Sequence, residues 1–140
     1  MPAVNAQTAF RQEMQRFRQA HTRGDTASSL YHLERAHIVG QRFFWPHLIT
    51  HLWMLRFALR QTDVRETIGQ LTRILAVPLG YLSGWVPVGN TGGANVSPIK
   101  PMPIPEDLKP CFEGYSLTRE IGIRVVVLST AVAIGWLVAG

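Results

Sequence analysis

Apolar side chains recur at helical spacing through the first eighty positions. Phe10, Met14 and Phe17 alternate with Arg11, Gln15 and Arg18, which predicts an amphipathic helix over 5–22. The stretch RGDTASS ends it: Gly24 suits the left-handed residue after a helix, and Asp25 can cap the next one. A second helix follows over 26–41, with Leu30, Leu33 and His37 on one stripe. RFFWP is a short connection, and Pro46 fits the first turn of a third helix that runs to about residue 61. Asp63 and Glu66 have the spacing of a capping box that opens a fourth helix. Ile68, Leu71, Ile74 and Leu75 give it an apolar face, and Pro78 is expected to disrupt or end it.

These elements predict an all-α fold of two antiparallel helical hairpins over residues 1–83, with the small-residue turn of a tetratricopeptide-like bundle. Residues 84–114 form a Pro/Gly-rich arm, too broken by proline for regular structure but apolar enough to dock on the bundle. Residues 115–140 differ again. From Val125 onward no side chain is charged, and twenty helical residues rise about 30 Å, the thickness of bilayer hydrocarbon. Arg124 can reach headgroups at the entry, and Trp136 suits the far interface. The expectation is a tail-anchored, single-pass protein of the inner (cytoplasmic) membrane. Lys109, Arg119 and Arg124 precede the span, so the N-terminal domain faces the cytoplasm. The first residues carry no apolar run of the secretory type.

Charge changes the picture little. A net charge of +5 permits nucleic acid or anionic lipid as partner, but the arginines are scattered over four helices without interleaved aromatics. Nucleic acid is not expected; a membrane, and a larger integral membrane complex within it, is. One cysteine, Cys111, allows no internal disulfide.

The candidate chemistry lies in LERAHIVGQRFFWPHLITHLWML. Glu34 and His37 are three apart on the second helix, and His47 and His51 four apart on the third, with Met54 continuing that stripe. A short hairpin would bring Glu34, His37, His47 and His51 together as metal ligands, with Met54 as an additional one. Imidazole with carboxylate suits copper, zinc or iron, and a thioether tilts the choice to copper. The bland alternative is a histidine-bearing helical core. A haem or di-iron oxidoreductase is the weakest reading, for a di-iron site needs a second Glu-x-x-His pair. GNTGGAN, with Gly89, Asn90, Gly92, Gly93 and Asn95, is either an anion- or partner-binding loop or a tight turn packed on the bundle. No nucleophile–base arrangement stands out, so a binding or accessory role is expected rather than an enzyme.

The blocks LERAHIVGQ, PHLITHLWML and GNTGGANVSPIKPMPIPEDL resemble those of a small bacterial family of domains of unknown function, number 3703 in its series, over about residues 8–108. The resemblance implies that His37, His47, His51 and the GNTGGAN block belong to the family pattern; it implies no activity. The apolar tail beyond Cys111 departs from that pattern and suggests a membrane-recruited variant.

Overall fold

The computed structural model describes residues 5–139; the reading of the extreme N-terminus lies outside them in part. The chain forms α1 (Ala6–Thr22), α2 (Thr26–Gly40), α3 (Phe44–Arg60) and α4 (Val64–Ser83), then an arm, a 3-10 segment (Glu106–Phe112) and α5 (Leu117–Ala139). There is no strand among the described residues. The first four helices make two hairpins, α1 on α2 and α3 on α4, joined through α2 against α3.

Side-chain caps start three of the first four helices. Asn5, Asp25 and Asp63 accept from the backbone N–H of Gln7, Ser28 and Glu66 at 3.0, 3.0 and 2.9 Å. Helix α3 lacks such a cap and starts two residues before Pro46, whose missing N–H still falls among the first-turn donors that have no helical partner. Pro78 does not end α4. The helix runs on to Ser83 and stops at Gly84, whose φ of 75° is the left-handed turn that glycine adopts freely.

Two apolar clusters fill the bundle. Ala6, Ala9, Ile38, Val39, Leu108 and Cys111 pack at one end, so the 3-10 segment is docked on α1 and α2. Met14, Phe17, Leu33, Ala36, Met54 and Phe57 pack at the other. Buried Glu13 ties the pieces together: its carboxylate meets Arg16 at 3.0 Å, Arg35 at 3.1 Å and His32 at 2.8 Å. Arg35 reaches onward to both carboxylate oxygens of Asp107 in the 3-10 segment.

Helix α4 is turned opposite to the reading of its apolar face. Ile68, Leu71 and Leu75 are exposed, Leu75 at 77 %. The buried stripe is Gln70, Arg73 and Val77, with Glu66 half-buried at its head. Polar side chains face inward there because the arm offers them backbone groups, as the site shows. Helix α5 leaves the bundle beside the end of α4, where the Arg124 guanidinium lies 4.4 Å from the Tyr81 ring centre. None of its residues is buried, and its apolar window has a mean hydropathy of 2.1. It is long and apolar enough to cross a membrane.

Candidate metal centre

Helix α2 supplies His37 from its last turn, and α3 supplies His47 and His51 from successive turns. The three rings form a near-equilateral triangle, with centroids 4.9 Å (His37–His47), 4.7 Å (His37–His51) and 4.8 Å (His47–His51) apart. The Nε2 atom of His51 lies 3.2 Å from that of His37 and 3.0 Å from that of His47. His37 and His51 are buried and His47 half-buried.

The outer nitrogens fix the tautomers. His37 Nδ1 lies 2.8 Å from the carbonyl oxygen of Asn90, which can only accept, so that nitrogen carries the proton. His51 Nδ1 lies 2.7 Å from Gln70 Oε1. The Gln70 amide is oriented by its own donors, for Nε2 gives hydrogen bonds to Glu66 Oε1 at 2.6 Å and Gly92 O at 2.9 Å. His51 Nδ1 is therefore also the protonated nitrogen. The Nε2 atoms of His37 and His51 then present lone pairs to each other. Charging a ring to relieve this is opposed by burial. Desolvation pushes His37 well below the usual imidazole range, with His51 and His47 adding to the shift. Desolvation also lowers His47 to about 3 and His51 to about 4. A cation shared among the lone pairs would resolve the conflict. Nitrogens about 2.0–2.1 Å from a tetrahedral metal stand about 3.3 Å apart, within a few tenths of an ångström of the two spacings at His51, and the three ligand atoms all lie within 4.8 Å of one another.

The arm builds the roof of this site. Asn90 Nδ2 donates to Ser97 O and Lys100 O at 2.8 and 2.9 Å, and its Oδ1 accepts from Gly92 N at 2.9 Å. Arg73 donates to Gly93 O at 2.9 Å and Val96 O at 2.7 Å. Ala94 N donates to Glu66 Oε2 at 2.9 Å. Two glycines are forced by close approach. A Cβ on Gly92 (φ +86°) would lie 2.9 Å from His37 ring atoms, and one on Gly89 (φ +79°) only 2.0 Å from Met102 O. The Gly92 and Ala94 N–H groups are thus already engaged within the protein, and the packed-turn reading of GNTGGAN describes the loop better than an open anion cradle.

Two sequence-proposed ligands fall elsewhere. Glu34 is not in the metal-ligating group, which comprises His37, His47 and His51 among the described residues. It lines a separate cavity of about 190 Å³ with Asp63, Glu66, Met54 and Asn95. Burial and the neighbouring Glu66 raise its pKa. The physical reason is axial: α2 and α3 are antiparallel neighbours, so Glu34, one turn before His37, lies level with Met54, Phe57 and Ala58 rather than with His47 and His51. Met54 is buried in the apolar cluster with Phe17, Leu33 and Phe57. Glu66 does half of the expected capping box, donating its N–H to Asp63 Oδ1 while its carboxylate accepts from Gln70 and Ala94. His21 stacks on Phe17 in the core, and His32 pairs with Glu13. Sequence reading missed Gln70 and Arg73. The available signal was the polar repeat Glu66, Gln70, Arg73 at helical spacing, easily taken for a solvated face. Arg124 and Trp136 sit on α5, Trp136 79 % exposed near its far end.

The molecule is thus an all-α protein of two helical hairpins, with a three-histidine centre under a Pro/Gly-rich roof and one unburied apolar helix. The chain belongs to the family described as "Protein of unknown function (DUF3703)", which matches residues 4–112. The match covers the bundle, roof and 3-10 segment, and α5 lies beyond it. No curated protein and no solved structure matches the chain.

Proposed function

We propose that this protein is a membrane-anchored metal-binding protein that serves as a small accessory subunit of a membrane complex. The observation that carries the metal reading is the pair of facing Nε2 lone pairs on His37 and His51, fixed by the Asn90 carbonyl and Gln70 Oε1. Three neutral imidazoles suit zinc first, and oxidised copper or iron next. With Met54 outside the site, the argument for a copper-favouring thioether falls away. Metal analysis of purified protein tests this, beside a variant carrying His47→Ala and His51→Ala. One equivalent of metal in the parent and none in the variant is expected; absence from both would end the reading.

Helix α5 supports the anchor. Lys109, Arg119 and Arg124 on its N-terminal side favour an inner-membrane orientation with the bundle in the cytoplasm. The subunit role draws on the outer stripe of α4, where Val64, Ile68, Leu71, Leu75, Leu79 and Leu82 are all exposed. A partner in the same membrane would cover it. Extraction in mild non-ionic detergent should then bring the protein out in a particle larger than itself, and migration alone would count against the subunit role. A binding role is preferred to catalysis because the cavity wall beside the histidines offers Thr72, Ser83 and Arg73 but neither carboxylate nor thiol.

A further inference from the structure

The three imidazoles form part of the wall of a cavity of about 530 Å³, and the rest of that wall is mostly apolar: Ala76, Val77, Leu79, Trp85, Pro87 and Ile99. The cavity volume is within the range of small-molecule sites, and it opens to solvent along Ala76, Leu79 and Ile99, which are exposed. Resting on the metal-centre reading above, we infer that the open coordination position takes the carboxylate of a small amphipathic anion whose apolar body fills this cavity.

Charge and shape carry the inference together. A divalent ion held by three neutral imidazoles keeps its double positive charge. Arg73 lines the same cavity and is buried, yet its guanidinium donates to three carbonyl oxygens, of Gly69, Gly93 and Val96. Among the described residues no carboxylate lies within ion-pair distance of it. Glu34, Asp63 and Glu66 line the other cavity, not this one. With a divalent ion bound, the histidine cavity would hold positive charge that no carboxylate of its own wall balances, while Glu66, in the other cavity, acts on Arg73 from outside it. A carboxylate offers one oxygen to the metal and a second to a guanidinium, which matches both positive groups. A bare small anion would leave the apolar wall wet, whereas an alkyl or aryl body excludes that water. With a metal held by His37, His47 and His51, binding would exchange a water ligand for a carboxylate oxygen, with no change in oxidation state.

The test uses the full chain in non-ionic detergent loaded with Co²⁺, whose visible bands report its coordination. Metal stoichiometry is measured first. Acetate, propanoate, butanoate and hexanoate are then titrated, with hexanamide as the neutral control. Each added methylene should tighten binding up to about fourfold, so hexanoate should exceed propanoate by roughly 10-fold or more, and hexanamide should give no spectral change. Ala76→Phe, which narrows the cavity without touching a ligand, should keep the metal bands and lose most of the chain-length preference. Arg73→Met should weaken every carboxylate; should it disturb the roof instead, Ala76→Phe decides alone. Cobalt bound stoichiometrically with no response to hexanoate, or with equal response to acetate and hexanoate, overturns this inference and leaves the metal centre standing. Failure to bind cobalt or zinc at all removes both.

Discussion

Gln70 Oε1 accepts the Nδ1 proton of His51 at 2.7 Å, across the hairpin between α3 and α4. The same amide donates to Glu66 and to the Gly92 carbonyl, so one fully buried side chain joins two helices, the roof and the three-histidine cluster. Gln70→Leu keeps roughly the volume and removes all three bonds. The stranded His51 N–H and Gly92 carbonyl should cost about 1–3 kcal/mol each at most. Freed from its tautomer, His51 should also weaken metal binding by about 10–100-fold. Chemical denaturation and a chelator competition titration measure the two effects separately. Equal metal affinity in both proteins would show that Gln70 does not orient the ligand.

Gly92 and Gly24 both have positive φ, of 86° and 73°, but a Cβ at Gly24 meets nothing within 4 Å whereas at Gly92 it meets the His37 ring. Alanine at either site bears the left-handed backbone cost of about 1–2 kcal/mol. Only Gly92→Ala should also displace His37. Gly24→Ala is therefore expected to lower stability alone, and Gly92→Ala to lower stability further and metal affinity with it. Identical metal affinities in the two variants would show that the roof does not set the position of His37.

Most of this architecture was legible in the chain. The caps at Asp25 and Asp63, the glycine turn at Gly24 and the three-residue connections gave the hairpins, because these are local features that act over a few residues. The convergence of His37, His47 and His51 followed from helical spacing across a short loop. Glu34 and Met54 did not follow, since one turn along a pair of antiparallel helices sets a side chain level with a different part of its neighbour. The orientation of α4 was illegible for a deeper reason. Its inward face is polar because the arm, 20 to 28 residues further along, brings carbonyl and N–H groups to Gln70, Arg73 and Glu66. Periodicity assigns the apolar stripe to the core by default and has no access to such distant partners.

The buried histidines give the metal-free protein a definite acid sensitivity. Their folded-state pKa values are depressed, to about 3 at His47 and about 4 at His51, and well below normal at His37. Below about pH 6.5 the unfolded chain takes up protons at these positions while the folded chain does not, so stability falls as pH falls. The loss starts near 6.5 and continues toward 4, at up to about 1.4 kcal/mol per pH unit for each histidine. Asp25 and Asp107, whose pKa values are lowered by hydrogen bonds from Ser28 and Arg35, lose their contribution only at more acid pH. Urea midpoints of metal-free protein at pH 7, 6 and 5 should therefore decline steadily. A flat profile across that range would contradict the buried, neutral cluster.

Helix α5 carries no buried residue and is long and apolar enough to cross a membrane, so its apolar surface is available to lipid. Leu128→Arg with Val132→Arg places two charges on its middle turns. Each costs about 2.5–3.5 kcal/mol at the centre of a span, and together about 5–7 kcal/mol. The doubly substituted protein should move from the carbonate-resistant membrane fraction to the extractable one while retaining its metal, because the histidine site makes no use of α5. Unchanged membrane retention would assign the anchor elsewhere, with the exposed stripe of α4 as the first place to look.

Glu34 separates a three-ligand site from a four-ligand one. Its carboxylate shares a cavity with Glu66 and lies outside the histidine group, and its raised pKa reflects burial and that neighbour rather than a cationic partner. Replacing it by glutamine keeps the shape and removes the charge. If three histidines hold the metal, Glu34→Gln leaves stoichiometry unchanged and affinity within about twofold, whereas His37→Ala costs more than about 100-fold, beyond the range typical of outer-shell partners. Stability should hold or rise slightly in Glu34→Gln, since a half-buried carboxylate beside a second one gains by losing its charge. A loss of metal from Glu34→Gln comparable to that from His37→Ala would mean that α2 turns on loading to deliver the carboxylate, and the open position assigned above would then be filled by the protein itself.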